Sequence, residues 1–253
     1  MGWGDEIIAS GQARLLYEQF GHKVAIHDRF GQQRDHEAWI GNPHIATRAD
    51  RDGRRTILKN GPGHRPYIAE KHTSHWKWKE WECPVGEIYL RPDEKLFANS
   101  LPSGIIVIEP NMKQKASPNK YWGKQRWEAL IDLMIAHGLK PVQLGAVGTQ
   151  VLRGAELINT PTMRHACAVL ARSRAAVLPE GGLHHAAAAF GIKAVVIYGG
   201  YISPKQTGYS IHTNLFTGGT ACGRRVDCAH CAAAMAEITP WQVFKELEKI
   251  LER

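Results

Sequence analysis

The apolar positions of this chain change period near residue 100. Upstream, Ile7, Ile8, Leu15, Leu16 and Phe20 recur at helical spacing, which predicts a helix over 5–20 with Asp5 in the N-cap position. Gly21 ends that helix, Lys23 to His27 reads as a short strand, and residues 28–100, rich in Trp, His, Pro and Gly, read as short strands and loops. Downstream, apolar runs alternate with amphipathic ones. Strands are predicted at 105–109, 141–144, 175–178 and 193–198, and helices at 124–137, 163–172, 183–190 and 239–251. The last helix has Thr239 as its cap and Pro240 in its first turn. Near-continuous apolar strands separated by helices imply a parallel, doubly wound sheet covered on both faces. The expectation is therefore α/β, with one domain over 1–102, a second over 103–253, and turn formers at 99–104 between them. In such sheets ligands bind beyond the carboxyl ends of the strands, so those turns are the places to look for chemistry.

Composition agrees with a globular chain: of 253 residues 43% are apolar, enough for a sizeable core. No apolar run approaches the roughly 18 residues of a membrane span, and the first residues lack a signal peptide's basic and apolar regions. Five cysteines, an odd number, do not form a disulfide framework, so a reducing cytoplasm is expected. The net charge of +8 points to anionic partners, and its placement narrows them. Residues 1–100 carry 15 Lys/Arg against 14 Asp/Glu, while 101–253 carry 17 against 10. The excess thus belongs to the second half, where Lys113, Lys115, Lys120, Lys124 and Arg126 follow one another with no acid between them. A solvent-facing basic loop and a phosphate-binding loop both account for that run.

Two segments stand at predicted strand ends. In the first, strand 175–178 runs into Glu180-Gly181-Gly182-Leu183-His184-His185 and then an alanine-rich helix. Glycines admit a ligand to the backbone, and a helix N-terminus attracts a phosphate. A plain glycine turn would explain the glycines and alanines but leave Glu180, His184 and His185 without a task. In the second segment, Asn119-Lys120-Tyr121-Trp122 follows strand 105–109, and Lys120 or Lys124 could neutralise a diphosphate. Trp122 and Trp127 read as packing.

Together these residues resemble glycosyltransferase family 9, the heptosyltransferase-like enzymes of the GT-B fold. The resemblance rests on Glu180-Gly181-Gly182-Leu183-His184-His185-Ala186-Ala187-Ala188-Ala189-Phe190-Gly191, on Lys120-Tyr121-Trp122, on Gly4-Asp5 opening a helix, and on Ile238-Thr239-Pro240 before the last helix. It implies two Rossmann-like domains, the first small and without its usual opening strand, with helix 239–252 packing back on the first domain. It further implies an inverting, metal-independent transfer of a sugar from a nucleotide-sugar donor to an acceptor hydroxyl. Asp5 would be the catalytic base, and Asn119, Lys120, Glu180, Gly181, Gly182, Leu183, His184 and His185 would bind the donor. The family's acid at position 180 is an aspartate, replaced here by glutamate.

Three further readings stay open. Trp76-Lys77-Trp78-Lys79 would, on a strand, place both tryptophans on one face, either in the core or as a platform for an acceptor. Cys222, Cys228 and Cys231 have a partial zinc-like spacing, with His230 among them and His212 as a candidate fourth ligand. The acceptor itself is expected to be a saccharide of the lipopolysaccharide-core type. Hydroxymethylated pyrimidines in DNA are the alternative, motivated by the basic pI and the tryptophans, and a non-catalytic nucleotide-binding module is the third.

Overall fold

The computed structural model describes residues 2–50, 53–111, 117–146 and 148–252. Lys113 and Lys115 of the basic run lie outside these residues. The chain starts with helix α1 (Trp3–Phe20), followed by β1 (Val24–His27), β2 (Ile45–Ala46) and β3 (Thr56–Lys59). These strands form a parallel sheet in the order β2-β1-β3, and α1 packs on it through Ile7, Ile8 and Ala13. A hairpin of β4 (Ile68–Lys71) and β5 (Trp76–Trp78) follows, then helix α2 (Pro92–Asn99). Helix α2 was not legible upstream of residue 100; it opens with Pro92 in its first turn and Glu94 reaching back to the Arg91 N–H.

The second half begins with β6 (Ile106–Ile108), α3 (Lys124–Ala136), β7 (Pro141–Gly145), β8 (Glu156–Asn159) and α4 (Met163–Leu170). It continues through β9 (Ala175–Pro179), α5 (Gly182–Ala189), β10 (Ala194–Gly199), α6 (Pro204–Thr207) and β11 (Thr213–Phe216), and closes with α7 (Ala229–Glu237) and α8 (Pro240–Leu251). Its six strands are all parallel, in the order β11-β10-β9-β6-β7-β8. That is the doubly wound order, with β6 and β9 adjacent at the point where the winding reverses. The sequence pattern missed β8 and β11 because both are edge strands with a single buried residue each, too little to stand out as an apolar run.

Alternate strand residues enter two cores, as a sheet covered on both faces requires. Val107, Leu178 and Val196 face α4 and α5 in a core continuous with the small sheet, while Ile106, Val177 and Val195 face α3 and α8. Helix α8 buries Val243, Phe244 and Leu247 there, each burial being worth about 1.5–3 kcal/mol. It therefore covers the large sheet against α3, β9 and β10 instead of packing back on the first domain, since its apolar stripe finds its partners within its own half. The halves are joined elsewhere, by α1 on α5 and by Arg164. The Arg164 guanidinium, buried in α4, donates to both Glu94 oxygens on α2 and to the Tyr89 and Glu37 carbonyls. Among the described residues no helix is long and apolar enough to cross a membrane.

Candidate functional site

The winding reverses between β6 and β9, and beyond the carboxyl ends of strands at such a reversal open α/β sheets bind their ligands; the two segments singled out from the sequence meet there. Glu180 follows β9 directly, and Lys120 reaches it from the turn Pro118–Lys120 after β6. The Lys120 ammonium pairs with Glu180 Oε2, and Thr207 Oγ1 donates to Oε1 at 3.2 Å. Burial, the largest single influence, works to raise the Glu180 carboxyl, but Lys120, His184 and the Thr207 hydroxyl together outweigh it and hold the group below the usual carboxylate range. Glu109, at the end of β6, pairs with no cation among the described residues. Burial pushes its carboxyl up to about 7 in spite of the Asn111 N–H it accepts, and nothing in its neighbourhood in sequence signalled that.

Helices α1 and α5 bring their N-termini together at the same place. A Cβ on Gly4 would lie 2.7 Å from His185 Cδ2, and one on Gly182 would lie 3.3 Å from Trp3 Cβ, so both glycines are needed for the contact. Two helix dipoles and their free N–H groups thus converge on one point, a strongly anion-favouring arrangement. Asp5 is not the N-cap of α1. Gly2 holds that position, and Asp5, in the first turn, accepts the Gly2 N–H at 3.1 Å. Its Oδ2 also accepts from Arg65 at 2.7 Å and its Oδ1 from the Tyr67 hydroxyl at 2.6 Å. Burial and the Asp5 charge push the Tyr67 phenol well up, so it stays protonated and donates. Arg65 and Tyr67 come from the loop before β4 and from no motif; only the fold brings them to Asp5.

The two histidines of α5 divide their work. His184 is spent on the backbone: its Nδ1 accepts the Gly181 N–H at 2.9 Å and its Nε2 lies 2.9 Å from the Thr207 carbonyl. His185 Nδ1 lies 2.7 Å from the Tyr209 hydroxyl, which in turn accepts the Cys83 thiol at 3.3 Å. A phenol that accepts the thiol proton has its own to give to Nδ1, and a neutral ring that accepts there carries its proton on Nε2, the atom that faces Gly4 and the start of α1. Burial drives both imidazoles down, His185 well below its ordinary value, and keeps them neutral. Cys83 and Tyr209 carried no sequence signal.

Other expected residues lie around this site. Asn119 is buried, and its side-chain amide donates to the Arg224 and Val226 carbonyls at 2.7 and 2.8 Å. It lines a cavity of about 350 Å³ between the Pro118–Lys120 turn and α7, together with Tyr121, Cys228, Cys231 and Met235. Trp76 and Trp78 share β5, with ring centroids 5.7 Å apart. Trp78 donates to the Tyr201 carbonyl at 2.9 Å, a packing role. Trp76 is ringed by Arg65, Lys71 and Arg225 at 5.3, 5.6 and 5.1 Å from its centroid. Trp122 and Trp127 are core residues at 1% exposure.

Among the described residues two groups of side chains have metal-capable atoms within 4.8 Å of one another: Glu180 with His184 and His185, and Cys222 with Cys228, His230 and Cys231. His212 is no part of the cysteine group. It is buried beside His184 and Tyr209, with Nε2 3.1 Å from the His184 carbonyl, because it stands at the amino end of β11 while the cysteines come after that strand's carboxyl end.

No family model matches the chain, and no curated protein matches it by sequence. Solved structures do. The crystal structure of a glycosyl transferase family 9 protein from Veillonella parvula matches with a TM-score of 0.65, over 100% of this chain and 95% of that one, at 16% identity. The fold is GT-B. Two E. coli structures match in part, each with a TM-score of 0.50. ADP-heptose lipopolysaccharide heptosyltransferase II matches at 22% identity over 68% of this chain, and an iron-containing dodecameric glycosyltransferase matches at 17% identity over 60%. The chain covers 55% and 46% of their lengths, about half of each.

Proposed function

We propose that the chain is a glycosyltransferase that moves a sugar from a nucleotide-sugar donor to an acceptor hydroxyl, with inversion and with no metal in the transfer step. The observation that carries this reading is the convergence of two helix N-termini, Lys120 and the Nε2–H of His185 at the winding reversal of the second sheet. That constellation suits a diphosphate, whose charge grows as it leaves. Asp5, oriented by Arg65, Tyr67 and the Gly2 N–H, keeps a free lone pair on Oδ1 and would take the acceptor's hydroxyl proton. The acceptor oxygen then bonds to the anomeric carbon from the face opposite the diphosphate, and the sugar–phosphate bond breaks. Lys120, His185 and the N-termini of α1 and α5 would receive the leaving charge, and Glu180 would keep Lys120 in place and accept sugar hydroxyls. Domains divided at 102/103 would put the acceptor side on residues 1–102 and the donor side on 103–253.

The donor is proposed to be of the ADP-heptose kind that the E. coli heptosyltransferase's name carries, and the acceptor a lipopolysaccharide-core saccharide. The test is a panel of nucleotide diphosphates and nucleotide sugars, read first by thermal shift and then by release of the diphosphate. A ligand at about 100 times its dissociation constant stabilises by ~2.7 kcal/mol, well within reach of a melting curve. Stabilisation by no member of the panel, with no sugar transferred or hydrolysed, overturns the proposal. Binding without turnover across the panel would leave a nucleotide-binding module.

The three cations around Trp76 favour a second reading of the acceptor, a DNA strand carrying hydroxymethylated pyrimidines. DNA affinity should then fall steeply with salt as phosphate contacts release counterions. Weak binding with no salt dependence removes that reading and leaves the first.

A further inference from the structure

The loop between β11 and α8 carries a group of side chains that the transfer reaction does not use. We infer that Cys222, Cys228, His230 and Cys231 form a tetrahedral site for one Zn(II) ion, which clamps this loop against the proposed donor site. Their four ligand atoms lie within 4.8 Å of one another. Around a zinc with bonds of about 2.3 Å to sulfur, tetrahedral geometry separates two sulfurs by about 3.8 Å. Cys222 and Cys228 Sγ are 4.0 Å apart, and Cys231 Sγ is 3.8 Å from His230 Nδ1. Cys222 and Cys231 Sγ are 2.9 Å apart, nearer than in a filled tetrahedral site, so these two side chains must part to admit the ion.

Three local features prepare these atoms for a cation. His230 Nε2 lies 2.8 Å from the Gly218 carbonyl, so its proton is committed there and Nδ1 presents a lone pair to the cysteines, the arrangement metal-bound histidines share. The Arg224 N–H points at Cys222 Sγ at 3.5 Å, which supports a thiolate. It can do so because Gly223 takes φ +66°, and a side chain there would strike the Trp76 carbonyl. Cys228 is the N-cap of α7, so its sulfur stands at the positive end of that helix. Binding the ion displaces the thiol protons to solvent.

The site's position gives it a structural task. Between Cys222 and Cys228 lie the Arg224 and Val226 carbonyls that hold the Asn119 amide, and the Arg224 carbonyl also accepts from Ser117 Oγ at 3.1 Å. On the other side, the Trp76 N–H donates to the Gly223 carbonyl and the Arg225 N–H to the Ser74 carbonyl. One ion would thus fix the wall of the 350 Å³ cavity and the hairpin together.

The test uses the purified full chain, prepared without chelator and analysed by elemental mass spectrometry for zinc, iron, cobalt, nickel and copper. About one zinc per chain is expected, falling at least tenfold in Cys222→Ser and Cys231→Ser. Should those variants fail to fold, the wild-type chain answers alone. Titration with an organomercurial should release the zinc in step with the modified thiols, and refilling the stripped chain with Co(II) should give thiolate-to-cobalt charge-transfer bands and strong tetrahedral d–d bands. Absence of both zinc and the cobalt bands overturns the proposal. So does a Cys222–Cys231 disulfide in the mass of the unreduced chain, and stoichiometric iron in place of zinc overturns the choice of metal.

Discussion

The group at Glu180, His184 and His185 and the group at Cys222, Cys228, His230 and Cys231 hold similar counts of metal-capable atoms at similar separations, yet their lone pairs face different things. In the first, each donor is already spent: Glu180 on Lys120 and Thr207, His184 on two backbone groups, His185 Nδ1 on Tyr209. What remains outward is a proton on His185 Nε2 and an ammonium, which attract anions. In the second, the outward hydrogen bond of His230 leaves its lone pair facing three sulfurs, which attracts a cation. Distance alone does not separate a metal site from a phosphate site; the partner of each second atom does.

Lys120→Ala tests that distinction hardest. If the proposed reaction holds, the leaving diphosphate loses a cation, and transfer should fall by about 10²–10³-fold, the usual cost of one donor at a developing anion. The same change strands a buried carboxylate, so stability should drop as well. The double variant with Glu180→Gln removes both charges and separates the effects: its melting temperature should recover while transfer stays low. If Lys120→Ala instead took up a second zinc, measured by elemental analysis, the first group would be a metal site held shut by lysine and the comparison would fail.

Gly4→Ala probes the close approach of α1 to α5 on which the first group rests. The new Cβ would meet His185 Cδ2 at 2.7 Å against a packed helix, so overpacking should cost about 1–3 kcal/mol in denaturant unfolding. Metal content should not change, because the cysteine group touches neither helix.

How far these sites could be read from sequence follows from the same geometry. Lys120 and Glu180 stand at ends of strands buried on both faces, and the apolar runs of Ile105 to Glu109 and Ala175 to Leu178 made those ends visible. Arg65, Tyr67, Cys83 and Tyr209 sit on loops whose neighbours follow no period, and their partners lie 60, 62, 126 and 24 positions away in the chain. Such pairs exist only once the sheets have packed. His212 shows the opposite error: spacing grouped it with the cysteines, but β11 intervenes and turns it toward His184. For Asp5, a favourable capping residue type suggested the N-cap, whereas Gly2, with no side chain, holds that position and Asp5 closes the turn from inside the helix.

Acid should separate the two groups by mechanism. Burial lowers His184, His185 and His212, the last to about 4, so in the folded chain they resist the protons that they accept near 6.5 when unfolded. The unfolded state therefore binds more protons between these values, and folding stability is complete above about pH 6.5 and lost as pH falls toward 4. For His212 alone the loss from pH 6.5 to pH 5 should be about 1.6 kcal/mol. His212→Gln, which keeps a donor for the His184 carbonyl but does not titrate, should flatten that part of the profile in pH-dependent melting. A slope equal to that of the wild type would show that His212 is already charged in the folded chain.

Tyr209→Phe carries a smaller effect and reads the tautomer directly. Without the phenol, nothing holds the proton off His185 Nδ1, and the Nε2–H that faces the start of α1 is no longer assured. The loss of one hydrogen bond of about 1.4 kcal/mol corresponds to a roughly tenfold fall in transfer. It should appear in kcat more than in KM, because the donated proton matters most when the diphosphate carries its full charge. Cys83→Ala should weaken the same chain one link earlier, by less, since the phenol can still donate. A Tyr209→Phe enzyme with unchanged kcat would mean that His185 orients itself without help, and the first group would owe its anion preference to Lys120 and the two helix N-termini alone.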